Sequence, residues 1–185
     1  MVKRVLVPLA PGCEELEAVT IIDLLRRARI EVTVAGIVEG AITASRGVRL
    51  LPDTTLDQVC NQDFDMIVLP GGLPGSDHLA DDPRIGALLK KMDESGKFVA
   101  AVCAAPKVLA RHGLLENRQA TAYPGVLHAE KHPYISGQAV TRDGHIITAR
   151  SVGTVMDFTL ELITALCGSA VRESVESAME RFDRS

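Results

Sequence analysis

The chain has 185 residues, 46% of them hydrophobic, and a formal charge of -4 at pH 7. That length suits one well-buried core, so a single domain over 1–185 is expected. An acidic balance without a basic run argues against nucleic acid or an anionic membrane surface, no apolar stretch approaches a membrane span, and 3% aromatics leave little for stacking platforms.

The apolar part of Met1-Val-Lys-Arg-Val-Leu-Val-Pro8 is too short for a signal peptide, so a cytoplasmic protein is expected. Cys13, Cys60, Cys103 and Cys167 stand far apart with no C-x-x-C spacing, which favours reduced thiols over a zinc ribbon or a disulfide framework.

In chain order the elements alternate. Arg4–Leu9 reads as a buried strand, Ala10–Cys13 as a turn, and Glu14–Arg29 as a helix with acids in its first turn and Arg26, Arg27 and Arg29 in its last. Glu31–Ala35 is a second strand. Ala41–Ser45 and Val48–Leu51 form a small antiparallel excursion joined at Arg46-Gly47, ahead of a short helix over Leu56–Cys60. Phe64–Leu69 is the third main strand, Pro70–Ser76 a turn, and Pro83 opens a helix to about Ser95. Val99–Val102 is the apolar run of a strand buried on both faces, and helix-favouring small residues follow it over Ala104–Ala110, in a helix that runs to His112. Thr121–Ser136 reads as irregular, Gln138–Thr141 and His145–Ala149 pair through Arg142-Asp-Gly144, and Val152–Leu166 and Ala170–Arg181 are closing helices. This alternation predicts an α/β fold, a mostly parallel sheet with helices on both faces.

Open sheets of this kind bind ligands at the carboxyl ends of their strands. Three features gather there: Ala10-Pro-Gly-Cys-Glu-Glu-Leu-Glu17, Pro70-Gly-Gly72 and Cys103. Cys103 falls at a strand-to-helix turn, where Pro106 suits a first helical position and the helix end is expected to lower the thiol pKa. A cysteine ending a core strand can also be a plain packing residue. The other two features at the same edge favour the nucleophile.

Glu17 shares a helical stripe with Ile21, Leu24 and Ala28, so an apolar face carries its carboxyl. Burial there raises the pKa and lets the acid shuttle a proton to and from a thiol, whereas Glu14 and Glu15 point elsewhere and read as solvated. Gly71 and Gly72 permit positive φ and close backbone approach, so an amide there can join that of Ala104 in holding an oxyanion. Neither nucleotide-phosphate glycine motif is matched. His128 and His132 are spaced by four but precede Pro133 without a third ligand, so they read as a polar loop and no metal is expected. His112 reads as a cation closing the helix after Cys103, and His78 and His145 as surface residues. Cys13 is a turn residue near the same edge, and Cys60 and Cys167 pack at helix ends.

Leu9-Ala-Pro-Gly-Cys-Glu-Glu-Leu-Glu-Ala-Val19, Val68-Leu-Pro-Gly-Gly72 and Ala100-Ala-Val-Cys-Ala-Ala-Pro106 together resemble the ThiJ/PfpI superfamily, in the subgroup of the Parkinson-disease-associated protein deglycase and bacterial YajL. The resemblance runs essentially end to end. It implies a flavodoxin-like three-layer α/β/α sandwich, a homodimer, a reactive Cys103, a protonated Glu17, and oxyanion amides from Gly72 and Ala104. Arg46, and Arg27 from a partner subunit, would form an anion patch near the thiol. Two positions depart from the family pattern. Branches with a Cys-His-Glu triad place His directly after the cysteine, where this chain has Ala104, so peptide hydrolysis is not expected. Tyr123 stands where the animal deglycase has His, and a tyrosine donates a hydrogen bond but is a poor base at neutral pH.

The residues and the resemblance together imply a glyoxalase or deglycase without metal or organic cofactor. Cys103 would attack α-oxoaldehydes such as methylglyoxal and glyoxal, or their early adducts on glycated proteins, through a hemithioacetal. The alternatives are an oxidative-stress sensor or chaperone that uses Cys103 oxidation, and a non-catalytic dimeric binding module.

Overall fold

The computed structural model describes residues 2–128, 131 and 134–181. The apolar runs become strands β1 (Arg4–Leu9) and β2 (Glu31–Gly36), with α1 (Glu15–Arg27) between them. The excursion is β3 (Ile42–Thr43) and β4 (Arg49–Leu50), followed by β5 (Thr54–Thr55) and α2 (Leu56–Val59). Next come β6 (Met66–Leu69), α3 (Gly75–Asp81), α4 (Pro83–Glu94), β7 (Phe98–Val102) and α5 (Pro106–Arg111). The chain closes with β8 (Val140–Asp143), β9 (Ile146–Ala149), a 3-10 turn at Val152–Thr154, α6 (Val155–Cys167) and α7 (Ser169–Ala178).

Seven strands form one sheet in the order β5-β2-β1-β6-β7-β9-β8, all parallel except the edge strand β8. Period-two alternation sends successive side chains to opposite faces. Val5, Val7, Val68 and Val102 join one core with Ile21 and Leu25 of α1 and Phe158 of α6, while Leu6, Ile67, Leu69 and Ala101 join a second with Leu79, Ile85 and Val108 of α3 to α5. The expected mostly parallel sheet with helices on both faces is therefore observed. The chain order reverses between β1 and β6, which places a crevice at their carboxyl ends.

Several boundaries differ from the sequence expectation. α1 stops at Arg27 because Arg29 takes a left-handed φ of 57°. α3 lies where only a turn had been expected. It has no side-chain cap, whereas Asp82 caps α4 by accepting from Arg84 N–H at 2.9 Å and Pro83 follows it, so α4 alone announces itself. Similarly, α5 starts at Pro106 rather than directly behind Cys103.

Candidate active site

Three loops meet at the carboxyl ends of β1, β6 and β7. The loop after β1 is stitched to the loop after β6 by Glu14 N–H to Gly71 O at 2.9 Å and Gly75 N–H to Gly12 O at 3.2 Å, and to the β3–β4 hairpin by Gly12 N–H to Thr43 O at 2.8 Å. Glycine is required at the crossing. Gly72 has φ of 91°, and a Cβ there would press on the backbone of Gly12, Cys13 and Glu14. At Gly71 a Cβ would lie 2.7 Å from Glu17 Oε2 and 2.8 Å from Cys103 Cβ, so the acid and the cysteine face the same bare backbone.

Cys103 sits at φ of 61°, a conformation that costs a non-glycine residue about 1–2 kcal/mol. It persists because both ends are held. Its N–H donates to Ala149 O of β9 at 3.0 Å, and its carbonyl accepts from Tyr123 N–H at 2.9 Å. The turn leaves the thiol half-buried, facing the N–H groups of Ala104 and Gly72.

Glu17 is fully buried on the apolar stripe of α1, as the spacing with Ile21 and Leu24 predicted. Its Oε2 accepts from Gly71 N–H at 2.8 Å, while Oε1 is buried without a formed hydrogen bond and the carboxyl lies beside the Cys103 thiol. Burial pushes its pKa up to about 7, against the pull of the Gly71 amide and the thiol. The thiol itself departs from expectation. Burial first, then the charge of Glu17, push it up to about 12 and outweigh the Ala104 and Gly72 amides. The expected lowering by a helix end fails because α5 is only six residues long and starts three residues on, while an ionised carboxylate is adjacent. Both groups are thus held toward their protonated forms, Glu17 up to about 7 and Cys103 up to about 12.

Glu14 and Glu15 are not the solvated acids expected. Glu15 is only 8% exposed, and its carboxylate accepts from Arg46 N–H at 2.9 Å, Val48 N–H at 3.3 Å and Ser45 Oγ at 3.1 Å. Glu14 caps α1 through Leu16 N–H and accepts from Ser45 Oγ at 3.0 Å. Arg46 is exposed at the tip of this pinned turn. Arg27 lies ten residues beyond Glu17 on α1, roughly 15 Å away along the axis, and is paired with Asp23 at 2.7 Å. Within one chain it is therefore not brought to the thiol. Tyr123 is brought there by its main chain, and its side chain is 53% exposed.

Cys13 is fully buried with its pKa raised to about 11, by burial first, as befits a turn residue in the core. Cys60 caps the end of α2 and Cys167 is the last residue of α6. His112 does end α5 but is not the cation expected, because burial and then Lys90 and Arg111 lower its pKa. His78 is an exposed side chain bonded through Nδ1 to Pro11 O at 2.9 Å, whereas His145 is partly buried and bonds Asp93 at 2.7 Å. His128 is exposed, and His132 lies outside the described residues.

The model of the DJ-1/PfpI family matches residues 3–165. The chain belongs to the DJ-1/PfpI family. Within it, protein dj-1beta of Drosophila melanogaster is 42% identical over 182 residues, covering 97% of each chain. A Caenorhabditis elegans protein named glutathione-independent glyoxalase DJR-1.2 is 35% identical over 169 residues, or 90% of each. The crystal structure of Drosophila DJ-1beta superposes with a TM-score of 0.92 at 41% identity, over 97% of this chain and 98% of that one. The flavodoxin-like fold expected of a family member is the one observed. A thiol on a strained turn, an acid of pKa about 7 beside it and two amides facing the sulfur form a set suited to covalent chemistry at a carbonyl.

Proposed function

We propose that this chain is a cysteine-dependent glyoxalase that converts α-oxoaldehydes such as methylglyoxal and glyoxal into hydroxy acids, and that the same chemistry removes their early adducts from proteins. The observation that carries the reading is the buried Glu17 carboxyl beside the Cys103 thiol, with the amides of Gly72 and Ala104 facing the sulfur. A relative named as a glutathione-independent glyoxalase supports it.

The sulfur of Cys103 bonds to the aldehyde carbon as its proton passes to Glu17, and the carbonyl electrons move to an oxyanion held by the two amides. Glu17 returns the proton to that oxygen, giving a hemithioacetal. It then takes the proton from the hemithioacetal carbon and delivers it to the neighbouring carbon, while the hydroxyl proton on the first oxygen passes to the former ketone oxygen, which leaves the thioester of the α-hydroxy acid. Water cleaves the thioester, releasing the hydroxy acid and restoring the thiol. A base of pKa about 7 suits both proton steps at neutral pH. The carbonyl substrate, water and these protein groups balance every step.

We further propose a cytoplasmic homodimer. Leu16, Val19 and Met156 are 52%, 49% and 47% exposed, and Val19 and Met156 line a groove of about 410 Å³ with Asp23 and Arg27, an apolar face that a second copy would cover. Sedimentation should show a dimer that Val19→Asp weakens.

Incubating the protein with methylglyoxal and measuring lactate tests the function. Wild type should form lactate, and Cys103→Ser and Glu17→Gln should not. Lactate formation that survives Cys103→Ser overturns the reading. No lactate from wild type, with ready peroxide oxidation of Cys103, assigns the site to redox sensing instead.

A further inference from the structure

We propose that the two oxyanion amides are aimed from behind by main-chain N–H groups of Tyr123 and Glu14, so that Tyr123 acts as a positioning residue through its backbone. The proposal rests on the carbonyl chemistry assigned to Cys103 above.

In a trans peptide unit the C=O and the N–H point in opposite directions. Holding one therefore aims the other. Ala104 N–H belongs to the unit whose carbonyl is that of Cys103, and that carbonyl accepts from Tyr123 N–H at 2.9 Å. Gly72 N–H belongs to the unit whose carbonyl is that of Gly71, and that carbonyl accepts from Glu14 N–H at 2.9 Å. Both units are trans, the cis bond of this region being Leu73–Pro74. Two independent loops thus use the same device, and each turns an N–H toward the sulfur. The restraint matters most at Cys103, whose positive φ is intrinsically unfavourable. Rotation of that unit would replace a donor facing the oxyanion with a carbonyl oxygen.

The Tyr123 segment is itself strapped down. Thr121 N–H donates to Thr148 Oγ1 at 2.9 Å, Thr121 Oγ1 donates to Gln138 O at 3.0 Å, and Thr121 and Thr148 are fully buried. Thr148 precedes Ala149, whose carbonyl takes the Cys103 N–H. β9 therefore holds Cys103 at one end directly and at the other through Thr121 and Tyr123. The Tyr123 side chain, by contrast, is largely in solvent.

The test replaces Tyr123 in the full-length protein by its α-hydroxy acid, which keeps the side chain and exchanges only the N–H for an ester oxygen. The variant should turn over methylglyoxal with kcat roughly ten- to a hundredfold lower and KM within about threefold, because the lost interaction is one made in the transition state. Independently of turnover, the pH midpoint for alkylation of Cys103 by iodoacetamide should move upward. If wild type forms no lactate, the assigned function fails, and the alkylation midpoint alone still decides the aiming of Ala104. Should the ester variant not fold, Thr148→Val is read by the same two measurements, with a smaller drop in kcat and a shift of the same sign. A folded variant with wild-type kcat and an unmoved midpoint overturns the proposal.

Discussion

Glu17 allows a stability measurement with a definite sign. Burial raises its pKa from 4.5 to about 7, so the folded state binds this proton more tightly than the unfolded chain does. Its favourable contribution is complete below pH 4.5 and is lost as the pH rises through 7. A shift of this size corresponds to about 3 kcal/mol at roughly 1.4 kcal/mol per unit. Glu17→Gln carries no charge at any pH and can keep a carbonyl oxygen opposite Gly71 N–H. The variant should match wild type near pH 4.5 and exceed it progressively up to pH 8. For a chain of this length, each kcal/mol moves Tm by about 2–4 °C, so the gap at pH 8 should be about 6–12 °C. Calorimetric scans of both proteins at half-unit steps from pH 4.5 to 8.5 provide the comparison, and lactate formation by the variant should be abolished in parallel. A Tm gap independent of pH, or a variant less stable than wild type at pH 8, would refute the claim that an acid is held here against its charge.

Other outcomes follow from the same geometry. The kcat/KM for methylglyoxal should rise with pH through about 7, as the Cys103–Glu17 pair loses its first proton, and then stay level into the alkaline range. A falling limb between pH 7 and 9 would contradict a thiol held protonated well above pH 7. Gly71→Ala should cut lactate formation at least tenfold, since its Cβ would stand 2.7 Å from Glu17 Oε2 and 2.9 Å from Val102 O; destabilisation of about 1–3 kcal/mol in urea titration should accompany it. Glu15→Ala should speed hydrogen exchange at the amides of Arg46 and Val48, which donate to Glu15. Glu15 also has a sign. Burial raises its pKa, but hydrogen bonds from its own N–H, Arg46, Val48 and Ser45 outweigh that and lower it. Its contribution is therefore present above the ordinary carboxylate range and lost as the pH falls through the depressed value, so wild type and Glu15→Ala should converge in acid.

What could be read in advance depended on how local its cause was. The spacing of Glu17, Ile21 and Leu24 lies within one helix, and burial of Glu17 followed from it. The switch from the apolar run Val99–Val102 to small residues placed Cys103 at a strand end in the same way. Glu14 and Glu15 misled because their partners, Ser45, Arg46 and Val48, lie some thirty residues away on a hairpin whose docking no periodicity records. α3 was missed because it starts without a capping side chain, its entry being set by backbone contact between Gly75 and the Gly12–Cys13 segment.

The thiol marks a different limit. Judged from its turn alone, Cys103 gains two amides and should ionise readily; with Glu17 in place, the larger effects are burial and a neighbouring carboxylate. Each residue was legible singly, but their protonation states belong to the pair. A group that needs a proton to stay neutral and a sulfur that must lose one to react cannot be assigned separately when they face the same bare Gly71 backbone. That crowding also explains the glycines. A side chain at Gly71 would press on both the acid and the cysteine, and one at Gly72 would press on the Gly12–Glu14 backbone that the neighbouring loop bonds, so both close approaches depend on backbone with nothing attached.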